Sequence, residues 1–254
     1  MRFASRVFWI ISLTGIVSGT AFAADFTRAE VQSILTAAPA GQGASFAGRS
    51  LAGLDLHELD FTGADLSGAD LSDADLRGAK LVAAKLVGAK LQRARLNLAW
   101  IMSADFSHAD LSGAALETLI VSAGMETLPA EAAKFVGATL SGAKVTARFS
   151  LDDMRGADLS HLQASADMRN QSMGLIRADF SRANLADANF AGAELAHVNF
   201  EFARLQRVNF SGADLTGAAL AGADLTDADL TGATTTGADF ASAVLAGAKG
   251  YLRP

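Results

Sequence analysis

The 254-residue sequence contains no cysteine, which excludes disulfides, thiolate metal sites, cysteine nucleophiles and lipid attachment at a cysteine. Aromatic residues are sparse, with one tyrosine, Tyr251, and two tryptophans, Trp9 and Trp100. Positive charge is also in deficit. The formal net charge of −6 argues against a nucleic-acid binder of the usual basic kind. No HExxH spacing, nucleophile elbow or glycine-rich phosphate loop occurs, and His57, His108, His161 and His197 are scattered. The serines and aspartates that catalysis would need belong instead to a repeat. These absences predict a non-enzymatic protein without a cofactor.

The first residues follow their own grammar. Arg2 and Arg6 precede the apolar run Val7–Val17, and Ala21-Phe22-Ala23 supplies an Ala-x-Ala cleavage site. The run is about half of the ~20 residues that a membrane-spanning helix requires. The expectation is a signal peptide over 1–23 and a periplasmic or secreted mature chain with a net charge of about −8.

From Phe46 onward a large residue, here called the centre, recurs every five positions, as in Ala64-Asp65-Leu66-Ser67-Gly68. A fixed period takes precedence over any local reading. Centres run from Phe46 through Leu51, Leu56 and Phe61 to Val121, with alanine two positions before each from Ala64 to Ala114. A flat strand would send successive centres to opposite faces, and an α-helix would rotate each about 140° from the last. A turn in every repeat points them all inward. A second run, Phe180, Leu185, Phe190, Leu195, Phe200, Leu205 and Phe210, alternates Phe and Leu, so a twenty-residue coil stacks each on its own kind. Thr235 is the polar centre of this run.

This pattern closely resembles the pentapeptide-repeat family over roughly 46–249. The resemblance implies an all-β fold, a right-handed quadrilateral parallel β-helix with four repeats per coil. A solenoid of this kind has open sheet edges at its ends, which proteins cover. Thr27-Arg28-Ala29-Glu30 is a capping box opening a short helix with Val31, Ile34 and Leu35 on one face, ended by Pro39 and Gly41. It reads as an N-terminal capping helix and linker over 24–44. The first run of repeats then covers 45–121, interrupted repeats 122–177, and the second run and tail 178–254. The C-terminal end has no comparable cover, so a homodimer through that coil is a candidate assembly.

The residue before each centre points outward. At twenty residues per coil, Asp60, Asp65, Asp70 and Asp75 fall under Lys80, Lys85, Lys90 and Arg95, and Lys85 and Lys90 under Asp105 and Asp110. The simplest reading is a solvated, stabilising charge ladder. Some cytoplasmic members of the resembled family are viewed as acidic DNA mimics that bind DNA gyrase. The paired charges and the leader argue against that role here, although the second run is more acidic.

The beat fails after Val121. A loop with a helical turn near Pro129 is expected, then centres at Phe135, Leu140 and Val145, a phase shift to Phe149, Met154 and Leu159, and a polar stretch from His161 to Gly174. Irregular segments on rigid scaffolds are where binding tends to reside. Trp100 and Ile120 occupy outward positions one coil apart and should stack as an apolar patch, either covered by the 122–134 insertion or used to meet another protein. Together with Arg169, Asn170 and Gln171 they are the candidate partner-binding residues. A different use of the region is Cu(I) binding through Met168, Met173 and His161, since thioethers are soft ligands; packing is the simpler role for methionine where a core turns irregular. The function expected is an exported scaffold that mediates protein–protein interaction through the interrupted region.

Overall fold

The computed structural model describes residues 24–39, 42–122, 127–166 and 177–251. The leader expected over 1–23 lies outside them. No helix among the described residues is long and apolar enough to cross a membrane.

The chain winds as a solenoid whose successive coils pair in parallel. The first face carries Ser45, Asp65, Lys85 and Asp105, the second Ser50, Asp70, Lys90 and Asp110, the third Asp55, Asp75, Arg95 and Ala115, and the fourth Asp60, Lys80, Trp100 and Ile120. The second face continues through Thr139, Asp158, Asn189, Asn209 and Asp229 to Lys249, a column of ten rungs. At about 4.8 Å per rung this is a rod on the order of 45 Å long. Most rungs are a single pair. Among the described residues one corner alone is extended enough to form strands, β1 Ala115–Glu117 and β2 Lys144–Thr146, which pair in parallel.

Each repeat turns because its backbone bonds close within it. The small residue's N–H donates to the centre carbonyl three positions back, as in Ala64 to Phe61 at 2.9 Å. The outward Asp or Asn adds a second closure. Asp65 Oδ1 accepts the Ser67 N–H at 3.0 Å, and Asp70, Asp105 and Asp179 do the same for Ser72, Ser107 and Ser181. This local acceptor is the physical reason for aspartate in the motif. The hydroxyl and N–H of Ser67 hold the Asp65 carboxyl below its ordinary value.

Centres and small residues form one continuous core, and Phe46, Leu51, Leu56 and Phe61 of the first coil are already fully buried. Their cover is α1, Arg28–Ala37, with the Thr27–Glu30 capping box formed and Val31 wholly buried. Pro39 holds the preceding Ala38 extended, at φ −63° and ψ 134°, which ends the helix. The helix is tied down by Arg28, whose guanidinium donates to the carbonyls of Asp55 at 2.8 Å and His57 at 2.9 Å. Phe26 packs edge-on against Phe46 at 5.8 Å beneath the Arg49 guanidinium. At the other end Phe240, Leu245 and the polar centre Thr235 are only partly buried among the described residues.

The expected charge ladder has its predicted register, with Lys80 3.6 Å from Asp60 and Arg95 3.5 Å from Asp75. Shorter pairs occur at the corners, Arg93 with Asp73 at 2.5 Å and Arg207 with Asp187 at 2.6 Å. They join residues in the turn position, outside the outward columns.

The stretch 122–177, expected to be irregular, contains ordinary coil. Lys134, Thr139 and Lys144 pair downward with Asp105, Asp110 and Ala115, and upward with Asp153, Asp158 and Gln163. Phe135, Leu140, Phe149, Met154 and Leu159 are all core. Among the described rungs the spacing departs from five at three corners. Between Ile120 and Lys134 the step from face to face is fourteen residues instead of five, between Lys144 and Arg148 it is four, and between Gln163 and Asp179 it is sixteen. Extra chain that leaves and re-enters at a corner costs the rungs little, because loop closure grows only slowly with length.

Candidate functional site

The departures converge on the fourth face. Its ladder runs Asp60, Lys80, Trp100, Ile120, then resumes at Arg148 and continues through Asp179, Asn199 and Ala219 to Asp239. The parallel pairing between Ile120 and Arg148 is missing among the described residues. The four-residue step from Lys144 to Arg148 and the sixteen-residue step from Gln163 to Asp179 both enter this face from the third, and the fourteen-residue step from Ile120 to Lys134 leaves it for the first.

Trp100 and Ile120 are paired side by side, as their spacing predicts, and both are half-buried. Leu98, at the corner just before Trp100, is 55% exposed. The insertion returns to the scaffold next to this patch. Ser103 donates its N–H to the Glu131 carbonyl at 2.8 Å and its hydroxyl to the Ala130 carbonyl at 2.6 Å. Glu131 in turn accepts from Ser122 Oγ and the Leu128 N–H.

Arg148 is the residue that sequence reasoning missed. Three shallow cavities share it. One of ≈ 250 Å³ is lined by Leu119, Ile120, Val121 and Ser122, and one of ≈ 280 Å³ by Thr118, Thr146, Ala147 and Arg177 among others. A third of ≈ 260 Å³ includes Ser150, Asp179, Arg182, Glu201 and Phe202, a residue that is 58% exposed. Arg148 Nε lies 4.0 Å from Asp179, and Ser150 Oγ donates to the same carboxylate at 3.2 Å. The signal for Arg148 was the phase shift between Val145 and Phe149, which removes a corner residue just before it. Arg148 is thus shared by a small cavity lined mainly by aliphatic side chains and two lined mainly by polar and charged ones.

The other predicted site residues are dispersed. Arg169, Asn170, Gln171, Met168 and Met173 lie outside the described residues. His161 sits at a corner with φ 54° and lies against Gly192, where an added Cβ would come within 2.9 Å of the imidazole. His108 and His197 lie against Gly137 and Gly217 in the same way. His57 contacts Asp55 at the helix anchor. Met154 is a fully buried centre, filling a leucine's place. Among the described residues no cluster of three His, Cys, Asp or Glu could hold a metal ion. A cavity of ≈ 420 Å³ lies between α1 and the first coil and is lined by Gln32, Leu35, Glu58 and Asp60 among others.

The family described as Pentapeptide repeats matches in eight copies, over 42–78, 79–117, 175–212, 193–232 and 223–249. Among solved structures the chain is similar to HetL, a pentapeptide repeat protein involved in heterocyst differentiation regulation from the cyanobacterium Nostoc sp. strain PCC 7120. That likeness has 28% identity over 88% of this chain and 98% of the other, with a TM-score of 0.63. It also resembles a trypsin-treated form of QnrB1, a plasmid-mediated fluoroquinolone resistance protein, at 19% identity over 78% and 90% of the two chains, with a TM-score of 0.44. Rfr23, a pentapeptide repeat protein from the cyanobacterium Cyanothece 51142, is 22% identical over 59% and 91%, with a TM-score of 0.37. No curated protein matches.

Proposed function

The chain belongs to the pentapeptide-repeat family, whose members fold as right-handed quadrilateral β-helices, and from that premise we propose that it is an exported, non-enzymatic scaffold that binds a protein partner across its fourth face. The observation that carries this reading is the interruption between Ile120 and Arg148. A regular solenoid presents paired polar columns, but here the ladder passes from Trp100 and Ile120 to Arg148 without a rung, and Ile120 and Arg148 line a common cavity. Leu98, Trp100 and Ile120 supply aromatic and aliphatic anchors, and Arg148 a polar one, which is the composition of interface hot spots. Arg169, Asn170 and Gln171, which lie outside the described residues, fall in the sequence between Gln163 and Asp179 and are kept in the proposal as polar contacts. The last described coil, with Phe240 and Leu245 partly buried, suits self-association through the C-terminal coil.

The test is site-specific photo-crosslinking in the native host. A crosslinking residue at position 100, 120 or 148 is expected to trap one common partner, whereas position 139 on the second face traps none. Equal trapping from position 139 would remove the fourth face from consideration. Fractionation and intact mass accompany it. A mature species beginning at Ala24 is expected. A cytoplasmic species retaining the leader would return the acidic second run to consideration as a DNA mimic.

A further inference from the structure

Among the described residues Asp152 is the one ionisable side chain buried in the core, 1% exposed. It stands two positions before the centre Met154, a place occupied by Ala133 on the coil below and Ala183 on the coil above. The neighbouring coils show why a carboxyl belongs there. Ala104, Ala138 and Ala183 each donate their N–H to the centre three residues back. At Ala133 the insertion has just ended, and the carbonyl three residues back, that of Ala130, accepts the Ser103 hydroxyl. Ala133 donates instead to Asp152 Oδ1, at 2.8 Å. A buried N–H without an acceptor is costly, so the carboxyl replaces the turn bond that the insertion removed. Its Oδ2 is buried with no hydrogen-bond partner.

We propose that Asp152 is a proton-linked latch on the return limb of the insertion, 127–133, holding its root in the coil when protonated and releasing it when ionised. Burial, opposed only by the Ala133 bond, pushes this carboxyl from 3.8 up to about 8. The interior around it is apolar: Phe149 and Met154 on its own coil, Ala133 and Phe135 below, Ala183 above. The charged groups on the adjoining elements point outward. They are Asp153 paired with Arg155 on the same coil, Glu131 and Lys134 below, and Arg182 above. A carboxylate formed here has no cation to meet inside and must reach water.

The direction follows from linkage. The latched form keeps a proton that the released, hydrated carboxyl would shed near its ordinary value. Release therefore becomes more favourable as pH rises from about 4 to about 8, and levels off above that. The return limb borders the fourth face, so the latch would adjust that face in mildly alkaline surroundings. This consequence rests on the interaction face proposed above, whereas the latch itself does not.

The experiment is amide hydrogen exchange at Ala133 in the full chain, corrected for intrinsic exchange, with the Asp152 carboxyl carbon followed by NMR. The opening constant should rise about tenfold per pH unit between about pH 5 and pH 7 in the native protein, and stay flat in Asp152→Asn, which keeps the acceptor without the charge. An equal slope in Asp152→Asn, a flat slope in the native protein, or a carboxyl titrating at the ordinary value would each overturn the latch. Should Asp152→Asn fail to fold, the native protein decides alone. The carboxyl shift and the levelling of Ala133 exchange must then share one midpoint, and separate midpoints refute the proposal. Crosslinking from position 100 reads the face independently of either result.

Discussion

Replacing Phe200 by leucine tests whether the second run is held by its stacked rings. Phe200 lies parallel to Phe180 at 5.3 Å and 10°, and edge-on to Phe190 and Phe210, both at 5.7 Å. Each aromatic pair is worth about 0.5–1.5 kcal/mol beyond the area it buries, and full truncation of a buried Phe costs about 3–5 kcal/mol. Leucine keeps most of the apolar contact but loses three ring pairs and leaves a small void. The expected cost is about 2–3 kcal/mol. Phe240→Leu is the control. Among the described residues its ring meets one other ring, Tyr251 at 4.9 Å, and it is only partly buried, so it should cost under about 1 kcal/mol. The assay is urea denaturation, read as midpoint shifts at unchanged slope. The double replacement Phe190→Leu, Phe200→Leu should fall short of additivity by about 0.5 kcal/mol or more, because the two rings share an edge-on contact. A Phe240→Leu cost equal to that of Phe200→Leu would refute the reasoning. It would mean that repeat propensity, not ring stacking, holds the run.

Gly222→Ala should destabilise by about 1–2 kcal/mol from its left-handed backbone, φ 67°, and by more because the new Cβ would sit 2.6 Å from the Phe202 ring. In a Phe202→Ala background only the backbone part should remain, and an unchanged cost there would show that the ring moves aside freely. Acid should weaken the rod in the opposite sense to the Asp152 latch. Arg93, Arg207, Thr226 and Thr231 hold Asp73, Asp187, Asp224 and Asp229 below their ordinary value. Their stabilisation is therefore complete above about pH 5 and lost as pH falls through the folded values, below about 4. Urea midpoints from pH 6 downward check this; midpoints that stay constant below pH 4 would contradict it.

The stretch from Val121 to Phe180 shows where sequence reading stopped and why. The centres Phe135, Leu140, Val145, Phe149, Met154 and Leu159 were visible, yet counting in fives could not show that they continue the same ladder. The count says nothing about where an inserted segment re-enters. The structure places the insertions at corners, so Lys134 and Asp153 keep their rungs. Trp100 and Ile120 were found because only intact repeats separate them. Arg148 was not, because its place on the fourth face depends on a four-residue corner that compensates for a missing residue.

The sequence alone determined the solenoid, its twenty-residue coil, the four outward columns and their cross-coil partners, and the capped N-terminal helix. Each follows from local chemistry repeated at a fixed interval: a small residue that fits the interior, an aspartate that closes its own turn, a centre that points inward. Tertiary structure decided what local repetition could not carry across an interruption. It set the missing rung between Ile120 and Arg148, the anchoring of α1 through Arg28, and the burial of Asp152 beneath Ala183. That last residue would be one more outward aspartate by composition. It lies in the core because the coil below lost an acceptor, and only the stacked neighbour could replace it.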